Sequence, residues 1–172
     1  MISTFRAMHG EMDLGGLLRL YGDDLLRVCF LYLRDYHLAE DALQDTFERA
    51  MKSYARFRGE CGEKTWLTRI AINVCKNLLR SPWHRRRVDD VAFLAQLPAN
   101  PNPADDVDES LILAISNLLP KYREIVVLFY YEEMKLKEIA AALNIPEATV
   151  STRLARARAQ LKETAKEWRY DE

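Results

Sequence analysis

A proline-rich acidic segment constrains the fold of this chain more than any other feature. Pro98, Pro101 and Pro103 fall within six residues, and each proline removes a backbone N–H donor and blocks continuation of a helix or a sheet. Asp105 and Asp106 follow one residue later, and their mutual repulsion favours an extended, solvated chain. We therefore expect a flexible linker over residues 88–109, with a small folded domain on either side.

Apolar residues on both sides of this linker recur at the spacing of an α-helix. One stripe before the linker consists of Ala39, Leu43, Phe47, Ala50 and Tyr54. A second consists of Leu67, Ile70, Ala71, Val74 and Leu78. We expect Thr65 to cap the start of the second helix and Ser81-Pro82 to end it. No segment alternates as a strand does, so the sequence predicts an all-α fold of two small helical domains, with three or four helices in the first.

Length and composition exclude several classes of protein. The longest apolar run in the 172 residues spans seven, from Ile125 to Tyr131, whereas a membrane span needs about 20. The first residues contain no apolar segment typical of a secretory signal. Three widely spaced cysteines argue against a disulfide scaffold and favour a reducing compartment. We expect a cytoplasmic protein.

The net charge of −1 conceals an uneven distribution of charged residues. Residues 76–87 contain five basic residues and no acid, and residues 148–162 contain four basic residues and no acid. Between them, residues 88–109 contain six acids and no base. Two basic patches indicate two surfaces that bind a polyanion.

Residues 136–158 have the spacing of a helix-turn-helix. The shared core is predicted to contain Ile139, Leu143, Ile145, Val150 and Leu154. The second helix would then turn Thr149, Thr152, Arg153 and Arg156 away from that core. Arginine pairs with guanine edges or neutralises phosphates, so this face suits a DNA major groove. The alternative is a plain helical hairpin with a solvated basic face.

The helix that contains Trp66 is a second candidate for nucleic-acid binding. Its polar face carries Arg69, Asn73, Lys76, Asn77 and Arg80. The run 85–87 of three arginines extends the charge, and aromatic rings beside a basic face stack exposed bases. The alternative is a core tryptophan beside a solvated basic face.

Asp41, Asp45 and Glu48 form a carboxylate stripe opposite the first apolar stripe, and it has three interpretations. It could ligate Mg²⁺, dock a basic partner, or be ordinary solvated surface. No phosphate-binding glycine loop accompanies the stripe, and the cysteines and histidines lack zinc-ligand spacing. We expect no catalytic residue, no metal and no cofactor, and hence a protein that is not an enzyme.

Several segments acquire a joint meaning from their order along the chain. They are the acidic helix 39–50, Phe57-Arg58-Gly59, the segment 65–73 (TWLTRIAIN), the arginine run, the acidic linker, 118–124 (LLPKYRE), 137–140 (KEIA) and 148–158 (ATVSTRLARAR). In this order they resemble a bacterial RNA polymerase sigma factor of the extracytoplasmic-function (ECF) group of the sigma-70 family. The resemblance covers about residues 14–166.

The resemblance implies a factor that directs RNA polymerase core enzyme to promoters, helps to melt the DNA and initiates transcription of a stress- or signal-responsive regulon. Residues 14–87 would be region two and residues 110–166 region four. The resemblance also implies an anti-sigma factor as a partner. The family's acidic helix docks on the clamp helices of the largest polymerase subunit, which maps to Asp41, Gln44, Asp45 and Glu48.

The resemblance, taken together with the polar helix faces described above, gives two sets of predicted DNA-binding residues. Those for the melted minus-ten element are Arg58, Trp66, Arg69, Asn73, Lys76, Asn77 and Arg80. Those for the minus-thirty-five duplex are Thr149, Ser151, Thr152, Arg153, Arg156 and Arg158. Two positions depart from the family, since Ser151 stands where lysine is usual and Asn77 where aspartate is frequent. These departures affect the promoter sequence that the chain would select.

Two other classes of function share parts of this pattern. A helix-turn-helix repressor or response-regulator output domain would share residues 136–158 but would bind duplex DNA without polymerase. A Mg²⁺-dependent helical enzyme would use Asp41 and Asp45 and show metal-dependent activity on a phosphate substrate.

Overall fold

The computed structural model describes residues 13–81 and 109–170, with side chains as far as Thr164 in the last helix. The helices of the first range are α1 (Leu14–Leu33), α2 (Tyr36–Ser53), a 3₁₀ turn (Tyr54–Arg56) and α3 (Glu63–Arg80). Those of the second range are α4 (Glu109–Asn117), α5 (Pro120–Val126), a π-helical turn (Val127–Tyr131), α6 (Leu136–Leu143) and α7 (Glu147–Tyr170). The predicted all-α class is confirmed. The predicted linker lies outside the described residues, except that its last residue, Glu109, begins α4.

Short polar caps define the turn between α1 and α2. The carboxylate of Asp35 accepts a hydrogen bond from the backbone N–H of Leu38 at 3.0 Å, which satisfies one of the free donors at the start of α2. Arg34 adopts the left-handed conformation, with φ of 58°, and ends α1 in the manner of a helix C-cap. The two helices therefore reverse direction within two residues.

The core of the N-terminal domain contains the stripe that the sequence predicts on α2. Ala39 and Ala50 are fully buried, Phe47 is 6% exposed, and Leu43 and Tyr54 are half-buried. The small alanines let helices approach closely, and the interior is filled by larger residues from α1 and α3 such as Leu25 and Leu67, both 0% exposed. Burial of such side chains is the main source of stability for a domain of this size.

The start of α3 differs from the predicted one. The helix begins at Glu63, and its cap is Gly62 in an extended conformation with ψ of 154°. The prediction that Thr65 caps the helix is wrong, because this residue already lies in the first turn. Glu63 places a negative charge at the positive end of the helix dipole, which favours the earlier start. The end of α3 at Arg80, before Ser81-Pro82, is as predicted.

The helix-turn-helix of the C-terminal domain forms as the sequence predicts. Asn144 takes the left-handed conformation, with φ of 53°, and separates α6 from α7. Ile139 and Val150 are fully inaccessible, and Leu154 is 4% exposed. These apolar side chains fix the angle at which α7 crosses α6.

In the contact between the two domains, α1 packs against α4, α5 and the π-helical turn, and α3 reaches the second domain through Thr68 and Lys76, which contact Glu132 and Glu124. Arg34 Nη1 donates to Asn117 Oδ1 at 2.8 Å, and Arg123 Nη2 donates to the backbone carbonyl of Tyr32 at 3.1 Å. Burial, followed by the nearby charge of Arg34, lowers the pKa of Arg123 to about 10. The sequence patterns above do not predict this packing.

Candidate functional site

The carboxylate stripe of α2 faces solvent, on the side opposite the buried stripe. Asp41 and Glu48 are exposed, and Gln44 Nε2 donates to Glu48 Oε1 at 3.3 Å. Asp45 has an internal partner, because Arg49 Nε and Nη2 each lie 2.9 Å from one of its two carboxylate oxygens. The four predicted docking residues thus share one accessible face. We call this set, Asp41, Gln44, Asp45 and Glu48, the acidic face.

An aromatic cleft lies where the 3₁₀ turn leads into α3. The rings of Phe57 and Trp66 are 4.8 Å apart between centroids, and the ring of Tyr54 is 5.9 Å from that of Trp66. Gly59 turns the chain with φ of 71°, a conformation that costs glycine little. The cleft has a volume of about 280 Å³ and is lined by Arg56, Phe57, Arg58, Glu60, Cys61, Trp66 and Arg69.

Arg69 presents an unsatisfied donor beside this cleft. Its Nε is buried, and within the described ranges no acceptor lies at hydrogen-bond distance from it. A buried donor without a partner costs about 1–3 kcal/mol, so a shift of the Arg69 side chain that brings its Nε to an acceptor would recover that free energy. Of the residues that line the cleft, Arg58, Trp66 and Arg69 belong to the predicted DNA-binding residues, whereas Arg56 and Phe57 do not. The aromatic residues at positions 54 and 57, shortly before Gly59, are the sequence signal that indicates an aromatic site here.

The polar face of α3 is divided between solvent and the other domain. Asn73, Asn77 and Arg80 are exposed, and their spacing places them on one side of the helix. Lys76 instead points towards the C-terminal domain, with Nζ 3.2 Å from Glu124 Oε2. The structure therefore brings three of these predicted DNA-binding residues to an open surface and pairs the fourth internally.

The predicted recognition residues lie on two flanks of α7. At 100° per residue, Thr149, Thr152, Arg153 and Arg156 share one flank, whereas Ser151 and Arg158 lie on another. Arg158 Nε donates to the hydroxyl of Tyr130 at 2.8 Å, and its guanidinium lies over the ring of Phe129. Arg153 Nη1 lies 3.6 Å from Glu124 Oε1.

The first flank of α7 forms a cleft with the start of α5. The cleft has a volume of about 310 Å³ and is lined by Lys121, Tyr122, Ala148, Thr149, Thr152, Arg153 and Arg156. A hydrogen bond from Arg156 and the nearby charge of Lys121 lower the pKa of Tyr122. Lys121 and Tyr122 do not belong to the predicted DNA-binding residues, although they directly follow Pro120 at the start of a helix.

The parts of the chain that the structure describes contain neither a metal site nor a membrane-spanning helix. There, no group of three or more histidine, cysteine, aspartate or glutamate side chains is arranged to hold a metal ion. None of the helices in residues 13–81 and 109–170 is long and apolar enough to cross a membrane. The Arg85–Arg87 run lies outside the described residues.

Both domains match known family models. Residues 17–87 match the model of Sigma-70 region 2, and residues 108–161 match the model of Sigma-70, region 4. The chain belongs to the sigma-70 family. Among curated proteins, it is 33% identical over 159 residues to the ECF RNA polymerase sigma factor SigM of Bacillus subtilis, covering 88% of this chain and 94% of SigM.

A second relative confirms the ECF group. The ECF RNA polymerase sigma factor SigW of Bacillus subtilis is 32% identical over 167 residues, with 89% of each chain covered. This protein is therefore an ECF sigma factor, a factor that directs promoter-specific transcription initiation. The resemblance inferred from the order of the sequence segments is confirmed.

Solved structures share the fold. The sigma factor RpoE of Bartonella quintana, in complex with the anti-sigma factor NepR, matches with a TM-score of 0.74 at 22% identity, covering 90% of this chain and 97% of RpoE. CnrH, in complex with the cytosolic domain of CnrY, matches with a TM-score of 0.68 at 23% identity, covering 96% of this chain and 95% of CnrH.

Proposed function

We propose that this sigma factor docks on the RNA polymerase core enzyme through the acidic face of α2. Asp41 and Glu48 extend into solvent from a helix whose other side is anchored in the core. A rigid helix presents charges without a large loss of side-chain and backbone freedom on binding. The partner surface would be the basic clamp helices of the largest polymerase subunit.

The minus-ten element would be captured as a melted strand at the aromatic cleft. A base extruded from the duplex costs a few kcal/mol, and stacking on an aromatic ring recovers about 1–3 kcal/mol per base. Phe57 and Trp66 supply the rings. Arg69 lines the same cleft, and a shift of its side chain would let the unsatisfied Nε bond a base carbonyl or a phosphate oxygen. This orphaned donor is the single observation that carries the proposal. Asn73, Asn77 and Arg80 would contact the strand beyond the cleft.

The minus-thirty-five element would be read as duplex by the first flank of α7. Thr149, Thr152 and Arg156 face the cleft that Lys121 and Tyr122 complete, so base edges and the adjacent phosphates can be contacted together. Ser151 and Arg158, which lie on the other flank, would contact the DNA backbone at its edge.

The chain would act by binding and not by catalysis, in the cytoplasm, where the polymerase is found. The two structural neighbours above are complexes with NepR and with the cytosolic domain of CnrY. We propose that an anti-sigma factor also restrains this chain and releases it in response to a stress or another signal.

The test is DNA binding with and without purified core enzyme. A duplex promoter probe should bind tightly only when the chain and core enzyme are combined, because neither domain alone spans both elements. Arg69→Ala should lose core-dependent binding to the duplex probe but keep binding to a probe with a pre-melted bubble. This result would support the assignment of Arg69 to strand opening. Tight, sequence-specific binding by the free chain at physiological salt would instead favour a helix-turn-helix repressor.

A further inference from the structure

Two buried cysteines meet in the core of the N-terminal domain. Cys29 on α1 and Cys75 on α3 are both 0% exposed, although they are 46 residues apart along the chain. The packing of α1 against α3 brings their thiols into a shared hydrogen bond. Both thiols are free of a disulfide, and neither belongs to the docking or DNA-binding residues. The core thus contains two adjacent sulfur nucleophiles that the proposed function does not use.

The arrangement of the two thiols suits a covalent bond between them. Thiols that share a hydrogen bond already have their sulfur atoms in contact, and a disulfide of about 2.05 Å requires only a further approach of α1 and α3. The third cysteine, Cys61, lines the aromatic cleft and is half-buried. It precedes the start of α3, whereas Cys75 lies 12 residues into that helix, which is about 18 Å along its axis. Cys61 therefore provides a matched control thiol.

Burial determines how fast this pair of thiols can react. The hydrogen bond with Cys29, followed by burial, raises the pKa of the Cys75 thiol. The thiolate is the reactive form, so the closed core reacts slowly. Cys29 lies four residues before the end of α1 and Cys75 five residues before the end of α3, and helix ends open at low free-energy cost. The pair should therefore respond to sustained exposure to an oxidant and not to a brief one.

We propose that Cys29 and Cys75 form a reversible disulfide when the chain is exposed to a hydroperoxide. One thiolate attacks the O–O bond, which breaks to leave a sulfenic acid on the cysteine, and the thiol proton goes to the departing oxygen as water or an alcohol. The second thiol attacks the sulfenic sulfur, and the S–S bond forms with loss of water. The sulfur pair loses two electrons, which reduce the peroxide. In a reducing compartment such a disulfide is a transient signal, and a dithiol reverses it by exchange.

The disulfide would act on strand capture through the position of α3. Asn73 and Asn77 lie two residues before and after Cys75, on the opposite side of the helix at 100° per residue, and both are exposed. A pull of Cys75 towards α1 moves this exposed face as well, because a close-packed core transmits a shift. This consequence rests on the function proposed above for α3, whereas formation of the disulfide does not. The acidic face lies on α2, which the disulfide does not join, so docking on core enzyme should be unchanged.

The first experiment tests whether the disulfide forms. The full-length unaltered chain, Cys61→Ala and Cys29→Ala are treated with hydrogen peroxide, blocked with N-ethylmaleimide in denaturant and mapped by mass spectrometry. We expect a linked Cys29–Cys75 peptide pair in the unaltered chain and in Cys61→Ala, its absence from Cys29→Ala, and its loss after dithiothreitol. The result in Cys61→Ala does not depend on whether a core variant folds. Absence of the pair from Cys61→Ala with unchanged circular dichroism, or a link through Cys61 in the unaltered chain instead, would overturn the proposal.

The second experiment measures the effect of the disulfide on transcription. Cys61→Ala is oxidised, freed of peroxide by desalting and added to core enzyme on a promoter found with the unaltered chain. We expect about fivefold less transcript than from the reduced form, the change that about 1 kcal/mol produces. A pre-melted bubble template or dithiothreitol should restore the transcript. The double variant Cys29→Ala/Cys61→Ala, or Cys75→Ala/Cys61→Ala if the first does not fold, should be insensitive to the same treatment.

An equal loss of transcription in the double variant would overturn the proposal, because the peroxide would then act on another residue. A mapped disulfide without a change in transcription would overturn the proposed control of strand capture. A reduced, unaltered chain that gives no transcript with core enzyme would instead count against the proposed function and would leave the mapped disulfide unaffected.

Discussion

Charge reversal at Asp41 is the sharpest test of the acidic face. Asp41 is exposed on α2, whereas Asp45 is paired through both oxygens with Arg49. Asp41→Arg therefore changes the surface presented to a partner and leaves that internal pair intact. Asp45→Arg would also leave Arg49 without its partner and place two cations one turn apart.

The expected loss of affinity for core enzyme follows from the change of charge at Asp41. An ion pair at the edge of an interface contributes about 1 kcal/mol, and reversal replaces it by a repulsion of similar size. The total of about 2 kcal/mol corresponds to roughly a 30-fold loss of affinity for core enzyme. Asp45→Arg should lose a similar amount and, in addition, destabilise the helix by about 0.5–1.5 kcal/mol.

The assay is competition for fluorescently labelled core enzyme, with circular dichroism to confirm unchanged helix content. Asp23→Arg is the matched control, because Asp23 is an exposed acid on α1 outside the acidic face. Affinity of Asp41→Arg within twofold of the unaltered chain, or an equal loss in Asp23→Arg, would refute the docking assignment.

Three further predictions follow from the geometry. Asn73→Ala should impair strand opening, and a probe with a pre-melted bubble should restore its binding. Arg156→Ala should cost about 1–3 kcal/mol of binding free energy through a lost base contact, and the bubble should not restore it. Restored binding of both variants, or of neither, contradicts the division of roles between α3 and α7. Burial raises the pKa of Glu132 above its ordinary value of 4.5. The unfolding free energy of the unaltered chain should therefore rise relative to that of Glu132→Gln as the pH falls towards 4.5. A difference between the two unfolding free energies that is constant with pH would contradict this. Ile139→Ala, at a fully buried site, should lower the unfolding free energy of the C-terminal domain by about 2–5 kcal/mol in urea titrations, and a loss below 1 kcal/mol would show that the helix-turn-helix core is not packed as described.

Local sequence patterns predict the helices because the residues that determine each helix lie close together in the sequence. The buried stripe on α2 follows from a spacing of three and four residues. The break between α6 and α7 follows from Asn144, which tolerates the left-handed conformation. The sequence mispredicts the start of α3 because a glycine cap has no side chain to signal it, whereas Thr65 has the side chain of a typical cap although it lies inside the first turn.

Contacts between the domains depend on tertiary arrangement and could not be predicted in this way. Periodicity assigns Lys76 and Arg153 to polar faces, which is correct, but it does not show that both meet Glu124. A weak signal existed, since Arg123 and Glu124 are charged residues that directly precede the apolar run 125–131. Charges at that position are buried only when a partner is supplied, and here the partners come from another domain and another helix.

The most direct test of the proposed function is run-off transcription with purified core enzyme on a library of genomic fragments. We expect transcripts from discrete start sites that appear only when the chain is added and that share sequence elements about ten and thirty-five base pairs upstream, as two-element recognition by separate domains requires. Asp41→Arg should reduce all of these transcripts together. A transcript pattern identical to that of core enzyme alone would contradict the assignment of this chain as a promoter-specificity factor.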